Sequence, residues 1–135
     1  MECFADTWFY VALLDRRDEN HERVETYANA LAEIQVTTRW VLAEVANMLC
    51  EDRARPAVAA FLRRIESEPL VRVVRESDDL FERGLALYEQ RPDKHWSLTD
   101  CISFVVMKEV GLRAALTNDR HFAQAGFDAV FASRS

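Results

Sequence analysis

The chain has 135 residues, half of them apolar, enough to bury a core within one domain, residues 1–135, without disulfide or metal staples. Its formal net charge of -6 opposes non-specific adhesion to nucleic acid, itself a polyanion, and so argues against a protein that simply coats it. No basic leader precedes the first apolar residues, and the longest apolar run, residues 8–14, is too short to span a bilayer, so a soluble, cytoplasmic protein is expected.

The opening "MECFAD" reads as a short buried strand, followed by an apolar helix "TWFYVALLD" and a polar turn "RRDEN". A helix over residues 21–32 leads into the β-branched "IQVTT". Helical spacing covers residues 39–52, and Pro56 suits the first turn of a further helix reaching about residue 66. "LVRVVR" reads as a strand and "ESDDLFERGLALYEQ" as a helix capped by Ser77. The next helix starts within "SLTDCISF", with Ser97 or Thr99 as its cap, and ends near Gly111. "AALTND" is a short strand, "RHFAQAG" a short helix and "AVFA" a candidate last strand. Strands alternating with helices predict an α/β domain on a mainly parallel sheet with helices on both faces.

Sheets of that kind bind ligands beyond the carboxyl ends of their strands. Two acids stand there: Asp6 closes the first strand and Asp119 follows "AALT", although each also suits a helix cap. Glu44 interrupts the densely apolar "WVLAEVANML", where a carboxylate is expensive to bury without a partner, and Asn47 follows three residues later on the same helical face. Asp100 lies in the first turn of its helix, where the dipole favours an acid. The face defined by Leu98, Cys101, Ile102, Val105, Val106 and Val110 points away from it, so periodicity alone leaves Asp100 solvated. If the four acids converge, their repulsion calls for cations, and magnesium or manganese suits an all-oxygen ligand set. Cys3, Cys50 and Cys101 have no paired spacing and read as core, and His21, His95 and His121 lack the pairing of a histidine zinc site.

Taken together, "FADTW", "DENH", "LAEVANML", "DKHWSLTDCISF" and "ALTNDRHFAQAGF", in that order and spacing, resemble the PIN-domain family of metal-dependent ribonucleases, in particular the VapC-like toxins of bacterial toxin-antitoxin systems. The resemblance covers essentially the whole chain. It implies a three-layer α/β/α domain with a mainly parallel central sheet of four or five strands. It also implies that Asp6, Glu44, Asp100 and Asp119 hold one or two Mg2+ or Mn2+ ions, with Thr7, Asn47 and Thr117 as supporting polar groups. The activity implied is hydrolysis of single-stranded or loop RNA by metal-activated water. The partners implied are the RNA substrate, an antitoxin protein and a second copy of the chain, with no membrane.

Trp8 departs from the family pattern, which has a small polar residue after the Asp-Thr pair. Its ring is expected to pack in the core or at an interface rather than to stack on a base. Phe9 and Tyr10, on the same helix, are expected to pack against the sheet. Two other readings of the residues stand beside the toxin: a non-catalytic PIN-like binding module and a PIN nuclease in RNA processing without an antitoxin. A receiver-like domain has a suitable length, but the chain lacks paired acids after the first strand and an aspartate closing "LVRVVR".

Overall fold

Residues 2–132 are described by a computed structural model, in which five parallel strands form one sheet in the order β3-β2-β1-β4-β5. Met1, which the sequence reading includes in the opening strand, lies outside the described residues. The first half of the chain runs β1 (Cys3–Ala5), α1 (Thr7–Leu14), α2 (His21–Ala30), β2 (Gln35–Thr38), α3 (Arg39–Met48), α4 (Arg55–Ile65) and β3 (Val71–Val74). It continues with α5 (Asp78–Gln90), α6 (Leu98–Val110), β4 (Ala114–Leu116), α7 (Arg120–Gln124) and β5 (Asp128–Ala129).

Right-handed crossovers place α1 to α4 on one face of the sheet and α5 to α7 on the other. The packing agrees: α1 lies against α2 and α3, and α3 against α4, while α6 lies against α5 and α7. This is the expected three-layer arrangement. Covered on both faces, β1 and β4 read as continuous apolar runs rather than alternating ones, and Phe4, Ala5, Ala115 and Leu116, with Val36 of β2, are fully buried. No helix among the described residues is long and apolar enough to cross a membrane.

The chain steps from β1 outward through β2 to β3, then returns to lay β4 on the opposite side of β1. The connections therefore diverge at the carboxyl ends of β1 and β4, which leaves a crevice between neighbouring strands. Local chemistry fixes the elements around it. Thr38 and Ser77 cap α3 and α5 through their hydroxyls, each at 3.1 Å from the third residue's amide. Gly111, at φ 83°, ends α6 in the left-handed conformation that its lack of Cβ permits. The five-residue α7 is too short to persist alone and is anchored by Phe122, fully buried and edge-on to Phe104 at 4.9 Å between centroids.

Two expectations are corrected. The third helix stops at Met48 rather than near residue 52, so Cys50 falls in the α3–α4 connection and is exposed, unlike buried Cys3 and Cys101. The last strand is Asp128–Ala129, where register with Ala114 and Ala115 sets its position, and not "AVFA". As expected, Trp8, half-buried, packs against the core, and its neighbours Phe9 and Tyr10 are buried within it.

Helices α5 and α6 pack tightly at Gly84, where an added Cβ would lie 2.3 Å from Ile102 Cγ1 and 3.3 Å from the Ile102 backbone. Gly84→Ala gains helix propensity of about 1 kcal/mol but forces the two helices apart. A net loss of about 1–2 kcal/mol is expected, read as a lower denaturation midpoint with an unchanged slope.

Candidate functional site

Asp6 follows β1 directly and occupies the N-cap position of α1, yet its side chain makes no capping hydrogen bond to that helix. It reaches across to β4 instead. The Thr117 hydroxyl, fully buried just beyond β4, donates to Asp6 Oδ2 at 2.9 Å and accepts from the Asp119 backbone amide at 3.0 Å. Asp119 caps α7, its Oδ1 accepting from the His121 amide at 2.9 Å.

Asp100 enters from the opposite layer. It forms a reciprocal capping box with Ser97: the Asp100 amide donates to Ser97 Oγ at 3.0 Å, and the Ser97 amide donates to Asp100 Oδ2 at 3.1 Å. The same carboxylate oxygen lies 3.2 Å from His121 Nδ1, which is 3.4 Å from Asp119 Oδ1. One ligand atom from each of Asp100, Asp119 and His121 fits within 4.8 Å of the others. From α3, half-buried Glu44 lines the same pocket, with no hydrogen bond or ion pair to another described residue. The pocket, about 430 Å³, is completed by Thr7, Trp8, Val11, Asp18, Met48 and Asn118. A wider groove of about 870 Å³ beside Trp96 contains a single acid, Glu89.

The structure thus brings Asp6, Glu44, Asp100 and Asp119 into one pocket together with Thr7, while Thr117, buried behind it, supports Asp6. Asn47 does not join them. Along α3, Met48, four residues after Glu44, shares its face, whereas Asn47, three residues after, turns into the groove between α3 and α4 with Arg55 and Leu62. Asp100 is not solvated but 8% exposed, because α6 is enclosed on most sides in its first three turns and has no solvent stripe there. His121 was set aside in the sequence for want of a histidine pair. The signal available was its place two residues after Asp119, at the start of a capped helix. Asp18, within "DENH", also lines the pocket from the α1–α2 turn.

Burial pushes the Asp6 carboxyl up to about 7, and the charges of Asp100 and Asp119 add to this, while hydrogen bonds from Thr117 and the Thr7 backbone oppose it. Asp100 is likewise raised by burial and by Asp119, against the pull of the Ser97 amide and His121. A pocket that holds carboxylates against their own repulsion suits a divalent cation. Thr7 Oγ1 supports this independently: it is a buried hydroxyl with no hydrogen-bond partner among the described residues, and its residue lines the acidic pocket.

Comparison with known proteins gives consistent results. The family model described as PIN domain matches residues 3–128. The "23S rRNA-specific endonuclease VapC20" of Mycobacterium tuberculosis is 31% identical over 127 residues, covering 92% of this chain and 94% of that protein. The crystal structure of M. tuberculosis VapC20, a sarcin-ricin loop cleaving toxin, superposes with a TM-score of 0.86 at 27% identity, covering 95% and 98% of the two chains. FitAcB from Neisseria gonorrhoeae shares the fold, with a TM-score of 0.67 at 18% identity over 97% and 96% of the chains.

The raised Asp6 carboxyl makes the folded protein bind a proton that the unfolded chain has already released between about pH 4 and 7, so its contribution to stability falls as pH rises through that window. Asp6→Asn removes this dependence. In EDTA, the stability of Asp6→Asn relative to the parent is expected to climb from pH 4 to 7 by up to about 4 kcal/mol, measured by denaturant titration across the range.

Proposed function

Because this chain belongs to the PIN-domain family, we propose that it is a divalent-metal-dependent endoribonuclease acting on single-stranded or loop RNA. The observation that carries this reading is the convergence of Asp6, Glu44, Asp100 and Asp119 on one pocket at the β1/β4 crevice. Asp6, Asp100 and Asp119 would hold Mg2+ or Mn2+, with His121 beside two of them as a nitrogen neighbour. The bound cation supplies Lewis acidity toward the phosphodiester and lowers the pKa of the attacking water.

The protein's own groups divide the remaining work. Thr117 fixes the Asp6 carboxylate from one side and the Asp119 backbone from the other. Glu44, unpaired at the pocket, orients the attacking water by accepting its hydrogen bond, or adds a metal ligand. The unpartnered Thr7 hydroxyl offers a donor to a phosphate oxygen or to water. Ser97 holds Asp100 so that its second oxygen remains available.

The endonuclease and toxin descriptions of VapC20 support a toxin role for this chain. Cytoplasmic RNA as target, a cognate antitoxin that blocks the site and assembly as a homodimer complete the proposal and rest on the family resemblance. A hairpin bearing the sarcin–ricin loop is the first substrate to test. The purified protein is expected to cleave RNA with Mg2+ or Mn2+ and to stop on addition of EDTA. Asp6→Asn, prepared identically, should fall by about 100-fold or more, and undiminished cleavage by that variant would assign the activity to a contaminant.

Metal binding has a readout of its own. Mg2+ should raise the melting temperature of the parent by mass action and that of Asp100→Asn much less, in melts run with and without the ion. Equal responses would remove Asp100 from the ligand set.

A further inference from the structure

The lining of the acidic pocket is mixed in a way that a phosphate and its cation do not require. Beside the carboxylates it includes Trp8 and Val11, one turn apart on α1, and Met48 of α3, which is 60% exposed despite its apolar side chain. Two hydrogen-bonding groups there have no use within the fold. The Trp8 indole N–H has no partner among the described residues, whereas that of Trp96 donates to Gln124 Oε1 at 3.1 Å. The Asn118 side chain is exposed and likewise unengaged, though its backbone lies between Thr117 and Asp119 in the bonded segment that carries the site.

We propose that Trp8 and Asn118 form a nucleobase subsite beside the carboxylates, where a base next to the cleaved phosphodiester stacks on the indole and presents its edge to the Asn118 amide. This rests on the nuclease reading and specifies its substrate further. A ligand that reaches from the carboxylates to Trp8 and Asn118 would carry a phosphate at one end and a flat, hydrogen-bonding group at the other, and a nucleotide does so. An indole stacks on any base, while an amide offers one donor face and one acceptor to a base edge.

The ring is held before any ligand arrives. Trp8 packs on Phe131 at 5.2 Å between centroids, and the Arg23 guanidinium lies 5.9 Å from the Trp8 ring and is tied to Asn20 Oδ1 at 3.0 Å. A base paired and stacked in a duplex cannot enter, so the nucleotide beside the cut has to be unpaired.

The test compares the parent with Trp8→Leu, which keeps apolar bulk without a stacking face, and with Trp8→Phe, which keeps a smaller face. Each is assayed on an RNA that the parent cleaves and on the same RNA with an abasic nucleotide on either side of the cut. Trp8→Leu is expected to lower kcat/KM by about 5- to 100-fold, mainly through KM, and Trp8→Phe to retain most of the activity. At one of the two positions the abasic RNA should cost the parent a similar factor and cost Trp8→Leu almost nothing further. The Mg2+-induced rise in melting temperature should be the same in all three proteins.

Losses that multiply independently, or a Trp8→Leu protein that cleaves like the parent, would overturn the subsite. A Trp8→Leu protein that loses its Mg2+ response would also overturn it, since the ring would then serve the metal centre. A parent that cleaves no RNA with Mg2+ defeats the nuclease reading and the subsite with it. A parent that cleaves without coupling between Trp8 and the base defeats the subsite alone.

Discussion

A threonine hydroxyl has one proton to give and lone pairs with which to accept, and Thr117 uses both in a site with no access to water. Through it the backbone of the β4–α7 segment is bonded to the carboxylate that ends β1. A buried carboxylate without such a donor would be costly in its charged form, and here two further acids bear on it. The order of the sheet makes the bond available: β1 and β4 are neighbours whose connections leave in opposite directions, so their carboxyl ends face each other with no crossover between them.

The choice between capping and chemistry, posed for each acid by the sequence, does not arise in the structure for two of them. Asp100 completes a capping box and Asp119 caps α7, yet both carboxylates also face His121 within hydrogen-bond or near hydrogen-bond distance. A carboxylate has about four lone-pair directions, so accepting from a helix amide leaves room for a further ligand. Helix starts supply the acids with a fixed orientation, and the positive end of each helix tempers the repulsion among them. That combination ties the geometry of the acidic pocket to the local stability of α6 and α7.

What could be read from the sequence follows from how local each signal is. The alternation of elements and the caps at Ser77 and Ser97 depend on neighbouring residues, and they match the structure. Asp6 and Asp119 were legible because a strand end is itself a place in an α/β fold. Asp100 was misjudged as solvated because periodicity assumes a helix with one wet face, and α6 is enclosed by α5, α7 and the sheet. Asn47 failed on angle: three residues and four residues from Glu44 lie on opposite sides of it, and only packing against α4 decides which faces the crevice. His121 and Trp8 needed contacts between segments far apart in the chain, which no spacing rule contains.

The bond between Thr117 and Asp6 joins residues 111 positions apart. Parallel pairing of β1 with β4 is of the same range, and contacts that distant form late because the intervening chain must first be ordered. During synthesis, Asp6 and Glu44 emerge while the strand that completes their surroundings does not yet exist. The four acids cannot be gathered until residue 119 has been made and β4 has found its place beside β1. A growing chain therefore lacks the assembled pocket until its last strands are in place, and the order of its strands sets when the acids come together.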